Sequence, residues 1–199
     1  MKKNRDGKRG ESGFTMIEVM IVTVILSIVA FMAVPSFMGT IKRNKVKRAA
    51  AEIADNINLT RSHGIKEAVM DYRIVFDPGN DRYLCGFEND ADSDPDGFGS
   101  GGSKIVGLST YSPEITFGSD APNGPNGSLA CGGAIPASGV SGWGTPPVLN
   151  FNSDGSVPNL GCVFIRDQSG NNFMVSVESV VGKTNLWRWE GGNVWSKVY

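Results

Sequence analysis

The chain has little histidine, no closely spaced cysteine pair, and almost no acid in its first quarter. His63 is the only histidine in 199 residues, and Cys85, Cys131 and Cys162 form no C-x-x-C pair. That composition argues against a zinc site and against a dithiol redox motif. Nothing around His63 favours a Ser-His-Asp or Cys-His arrangement over a surface or boundary role. No catalytic residue is therefore expected. Between Gly13 and Arg48 the only acid is Glu18.

A basic surplus is also missing. The net charge of −1 hides a division: from Ala49 onward there are 9 basic residues against 17 acidic ones, a net of −8. An acidic C-terminal part argues against a nucleic-acid-binding surface, which normally needs a basic patch. The remaining cations form two groups, Lys2, Lys3, Arg5, Lys8 and Arg9, then Lys42, Arg43, Lys45, Lys47 and Arg48. With five on each side of the segment between them, the positive-inside rule gives no orientation.

That intervening segment organises the chain. From Phe14 to Val34 the sequence is nearly unbroken apolar (Phe14, Met16, Ile17, Val19 to Val22, Val24 to Leu26, Ile28 to Val34), with Glu18 its only charge. About 20 such residues are enough for a helix to cross a hydrocarbon core of about 30 Å. An ionised side chain there costs roughly 2.5–3.5 kcal/mol, and such residues usually have a partner and a function. No cation within the span offers one. A cut after Gly13 would create one, because the new amine of Phe14 is positive near neutral pH. It lies about one turn from Glu18 in the same helix, or beside the Glu18 of an axially offset neighbour.

A basic leader, Gly13, then Phe14-Thr15-Met16-Ile17-Glu18 and an apolar helix resembles the class III signal of type IV pilins and type II secretion pseudopilins. The resemblance implies cleavage between Gly13 and Phe14 by a prepilin peptidase, methylation of the new Phe14 amine, and assembly through Phe14 and Glu18. An ordinary secretory signal fits less well, since its apolar region is usually 7–15 residues with a small-x-small site. A cut after Ala30 or Ala33 would put Ile28 or Phe31 where a small residue belongs.

Pro35 lacks an amide donor and predicts a helix kink, at a place where the pilin family also has a proline. Beyond it, Val46, Ala50, Ile53, Ile57 and Ile65 recur at helical spacing, broken at Thr60-Arg61. They make one apolar stripe on an amphipathic helix whose other face carries Lys45, Lys47, Glu52, Asp55 and Asn58. From Tyr72 the period becomes two. Strands are predicted at Tyr72–Phe76, Arg82–Phe87, Ile105–Ser109, Glu114–Phe117, Val148–Phe151, Cys162–Arg166, on to Val177 after a turn at 167–170, Leu186–Trp189 and Val194–Val198. The expected fold is α+β, a long kinked N-terminal helix packed on an antiparallel β-sheet head. Its expected parts are a leader at 1–13, a transmembrane or filament-core helix at 14–35, an amphipathic helix at 36–68, and a β-rich periplasmic head at 69–199.

Three short motifs, Leu59-Thr60-Arg61-Ser62 with Ile65-Lys66, Phe151-Asn152-Ser153-Asp154-Gly155, and Val180-Val181-Gly182-Lys183, are similar to the GspH/FimT family of minor pseudopilins and minor pilins. The sequence departs from that family at His63-Gly64 and by two glycine-rich insertions. The resemblance implies a structural subunit of a type II secretion pseudopilus or type IV pilus, anchored once in a bacterial inner membrane. Other pilin or pseudopilin subunits and the peptidase would be its partners.

The first insertion holds Asp90, Asp92, Asp94 and Asp96 at alternate positions before Gly97. Read from Asp92 it begins like a D-x-D-x-D-G calcium loop, but the twelfth position is Ser103, so the bidentate glutamate is absent. It is carried forward as a candidate calcium loop, against a solvated acidic loop. Gly97 to Gly102 matches G-x-G-x-x-G without the strand before and helix after that a dinucleotide site needs. The second insertion, Gly118 to Pro147, predicts an extended loop that is either a partner contact or disordered. In an oxidising compartment two cysteines would pair, and which two is open from spacing. Cys131 with Cys162 is favoured, because it would tie that loop to a strand. Trp187, Arg188, Trp189, Trp195 and Lys197 interleave aromatics with cations as in single-strand nucleic-acid binders. A DNA-binding minor pilin is therefore the rival reading, with a plain membrane-anchored β-domain behind it. The bland account of the same residues is alternate tryptophans facing a sheet core.

Overall fold

In the computed structural model residues 13–67, 72–87 and 104–199 are described. They divide into two compact units, Met1–Thr40 and Ile41–Tyr199. Helix α1 spans Met16–Glu67, followed by ten strands. All described side chains of the first unit are exposed.

In the second unit α1 buries a stripe of Val46, Ala49, Ala50, Ile53, Ala54 and Ile57. The small residues at 49, 50 and 54 let the helix approach the strands closely. The stripe continues through Thr60 and Gly64, not Ile65, which is exposed. The polar break at Thr60 is no break: its hydroxyl donates to the Asn56 carbonyl at 2.7 Å, which lets it be buried on the helix face.

The strands form two antiparallel sheets, where the sequence predicted one. The first, in the order β3-β2-β1-β6, joins Lys104–Gly107, Arg82–Phe87, Tyr72–Asp77 and Val148–Phe151. The second, in the order β10-β9-β8-β7-β4, joins Val194–Lys197, Thr184–Gly191, Asn172–Val177, Gly161–Arg166 and Thr116–Phe117. Alternation decides which side chains meet the helix. Ile74, Phe76, Tyr83, Leu149 and Phe151 from the first sheet share one cluster with Val163, Ile165, Phe173, Val175 and Leu186 from the second. The helix stripe belongs to the same cluster.

Two predicted strands are shortened or shifted and one is longer. Strand β3 ends at Gly107, because Leu108 donates its amide to the Asp81 carbonyl and a 3-10 turn follows. Strand β4 starts at Thr116, because Ile115 is drawn into a turn by bonding to Ser112. Strand β9 extends from Thr184 to Gly191. Strand β5, Val140–Ser141, lies inside the predicted loop and pairs with β7.

That loop is built into the head. Cys131 and Cys162 are joined by a disulfide, Gly124 and Gly133 are hydrogen-bonded, and Asn123 pairs with Ala134. A side chain at Gly124 is excluded, since its Cβ would lie 1.7 Å from the Cys131 carbonyl oxygen. The loop covers the outer face of the second sheet through a cluster of Cys131, Cys162, Phe164 and Met174, flanked by Ile135, Trp187 and Trp195.

Candidate functional site

The N-terminal segment is built around Thr15. Its carbonyl accepts from the Glu18 and Val19 amides at 3.1 and 3.2 Å, and its hydroxyl accepts from the Glu18 amide at 3.3 Å. Thr15 is thus the N-cap of α1, with Glu18 at the third helical position, the spacing of a capping box. Sequence reasoning passed over this role, although Thr15-x-x-Glu18 before an apolar run is its signature. The carboxylate also stands in the first turn, where the helix dipole favours negative charge.

The other polar side chains of the apolar run are satisfied by their own helix. The Thr23 hydroxyl donates to the Met20 carbonyl at 2.9 Å, and the Ser27 hydroxyl to the Thr23 carbonyl at 2.7 Å. Glu18 is the one ionisable group among the described residues from Gly13 to Thr40. Phe14 is 81% exposed, and among the described residues, chain neighbours aside, no heavy atom lies within 4 Å of where a Cβ on Gly13 would be. The fold itself does not require glycine there. Position 35 lies inside α1, which is continuous through it. The helix contains a window long and apolar enough to cross a membrane, none of it buried by the rest of the chain.

Elsewhere the predicted candidates separate. Asp90, Asp92, Asp94 and Asp96 lie outside the described residues. Among the described ones no three metal-ligating acids, histidines or cysteines come together. Cys85 is free and buried, its thiol pushed up by burial, and it donates to the Lys104 carbonyl at 3.6 Å. His63 is exposed and stacks on Tyr72, with ring centres 5.8 Å apart. The tryptophans are used within the head. Trp187 donates to Ser176 at 3.2 Å and lies under the Lys197 ammonium. Trp195 donates to the Asn123 carbonyl at 3.0 Å and meets Phe164 edge-on. Trp189 donates to the Gly192 carbonyl at 2.9 Å, and Arg188 pairs with Glu190.

A polar network ties the helix to the β-part. The Tyr111 hydroxyl donates to Glu52, Lys104 bonds Glu52 at 3.1 Å, and the buried Asn56 donates to the Tyr83 hydroxyl at 2.7 Å. The Tyr111 hydrogen bond holds the Glu52 carboxyl below its usual range against the opposing cost of desolvation, with Lys104 adding to the effect. Burial pushes Tyr83 and Tyr111 upward. The three short motifs also meet. Arg61 donates to the Gly155 carbonyl at 2.9 Å, and a Cβ on Gly182 would lie 2.7 Å from the Arg61 side chain.

Residues 8–34 match the prokaryotic N-terminal methylation motif. Type II secretion system core protein G of Aeromonas hydrophila is 46% identical over 46 residues, which is 23% of this chain and 32% of that protein. The chain thus spans about a third of the length of the curated relative it matches. No solved structure matches. The long apolar N-terminal helix followed by antiparallel sheets is consistent with an α+β pilin-like fold. The particular relative carrying the similarity is a core protein of a type II secretion system.

Proposed function

We propose that the chain is a structural subunit, not an enzyme, of a type II secretion pseudopilus or type IV pilus, in a minor-subunit role of the GspH/FimT kind. In this reading a prepilin peptidase cuts after Gly13 and methylates Phe14. The helix rests in the inner membrane with its head in the periplasm, then enters a filament beside other pilin or pseudopilin subunits. One observation carries it: among the described residues Glu18 is an ionisable group without a counter-ion, in an exposed apolar segment whose other polar side chains are satisfied internally. A freshly exposed Phe14 amine on a neighbouring subunit supplies the missing cation. The convergence of the three motifs on Arg61 supports the minor-subunit assignment.

Glu18→Ala tests this. The variant is expected to be processed and membrane-inserted, yet to enter filaments at least about tenfold less than wild type, as expected when one partner of a desolvated pair is removed. Quantitative immunoblotting of sheared filaments against membranes reads the ratio. Unaltered incorporation contradicts the role given to the carboxylate.

A further inference from the structure

The cations that follow the apolar run have no acid among themselves; among the described residues only Lys42 enters an ion pair, while Arg43 and Arg48 act through space on Glu190 and Tyr111. Five ion pairs link described residues: Lys42 with Glu114, Arg82 with Asp77, Lys104 with Glu52, Arg166 with Asp120 and Arg188 with Glu190. The acids in all five belong to the β-part or to the helix stretch packed on it. Arg43, Lys45, Lys47 and Arg48 are exposed and enter none of them.

Their spacing around the helix matters. At about 100° per residue, positions 43, 45, 47 and 48 fan over about 200° of the helix, and the remaining 160° or so holds the paired Lys42 and the buried Val46. Val46, the buried residue among them, points between Lys42 and Arg43. A lamellar surface around the helix meets all four of these cations at once, on the side the β-part leaves open. From Arg43 to Arg48 the fan is about 7.5 Å tall, comparable to the roughly 5–8 Å headgroup layer of one leaflet. It also begins abruptly, since Phe37, Met38 and Ile41 are exposed apolar residues and Lys42 follows directly. Arg43 further borders a polar cleft of about 270 Å³ shared with Asn171, Asn172, Arg188 and Glu190.

We infer that Arg43, Lys45, Lys47 and Arg48 form a collar that docks on anionic phospholipid headgroups of the leaflet opposite the leader. The inference rests on the membrane-anchored reading above. It gives the second cationic cluster, which topology rules leave unexplained, its own partner. Charge, not shape, is the recognition, so salt weakens it.

The test uses the full chain reconstituted in vesicles of roughly 7:3 phosphatidylcholine to phosphatidylglycerol and excised with surrounding lipid by a styrene–maleic acid polymer. Mass spectrometry of the discs should find phosphatidylglycerol enriched about twofold or more over the bulk ratio, falling to bulk in about 0.5 M salt. The quadruple variant Arg43→Gln, Lys45→Gln, Lys47→Gln, Arg48→Gln should lose at least about half of that enrichment, the rest belonging to the five cations of the leader, with an unchanged melting temperature. Arg43→Lys with Arg48→Lys should keep the enrichment. A bulk ratio for wild type that still resists carbonate extraction overturns the collar and leaves the membrane reading standing. Wild type released by carbonate overturns the membrane reading itself. Crosslinks from Lys45 to carboxylates of a second copy, without lipid enrichment, overturn the collar in favour of a subunit contact.

Discussion

Residues 13–40 and residues 41–199 obey opposite burial rules within one chain. In the first unit Met16, Ile17, Phe31 and their apolar neighbours are all exposed; in the second Val46, Ile53 and Ile57 are fully buried. Both stretches are helical, so helix formation is not what separates them. The difference is where the partner surface comes from. The second unit supplies its own, in two sheets that enclose the stripe. The first carries an apolar surface that no described residue covers. Stability therefore resides in the head, and the function assigned here resides in the segment that adds nothing to it.

The strongest way to break that contrast is to wreck the head and watch the N-terminus. Ile53→Asp buries an unpaired charge in the main cluster and should cost about 3–5 kcal/mol, enough to unfold a marginal domain. Thermal melting should show the loss, while cleavage after Gly13 proceeds as in wild type. Next in size is the pair Cys131→Ser with Cys162→Ser. Opening a loop with a sequence separation of 31 should remove about 3–4 kcal/mol. Protease nicking within residues 118–147 should rise, again with processing untouched. The smallest effect sharpens the contrast within the head. Tyr111→Phe removes the main cause of the lowered Glu52 carboxyl. A carboxyl held low in the folded state adds stability above its ordinary value of 4.5 and loses it as pH falls through the folded value. The variant should be less stable by under about 1 kcal/mol at neutral pH, because the pair is partly exposed. The gap to wild type should close as denaturant midpoints are measured at progressively lower pH below 4.5.

The legible parts of the sequence were those where one local rule acts without competition. Val148–Phe151 alternates cleanly and forms a strand with those bounds, and Arg82–Phe87 follows a turn rich in Pro, Gly, Asn and Asp. Errors arose where a tertiary partner decided. Ile65 looks like the next stripe residue, but the face turns to Gly64, which packs near Tyr72 and Phe151. Leu108 reads as strand until the Asp81 carbonyl captures its amide. Val140–Ser141 lacked any periodic flank, and its pairing with β7 depends on a loop folded back from far along the chain. The division into two sheets was invisible because period-two patterning states which face a residue takes, not which sheet. At the N-terminus the sequence expectation rested on Gly13, Phe14 and Glu18 and overlooked the Thr15 cap, which the Glu18 amide reveals.

The most direct measurement is the mature N-terminus of the protein recovered from its native membrane, read by intact-mass and N-terminal peptide mass spectrometry. A chain beginning at an N-methylated Phe14 is the predicted result. A chain beginning at Met1 in functional filaments, or at any residue past Ala30, contradicts the account.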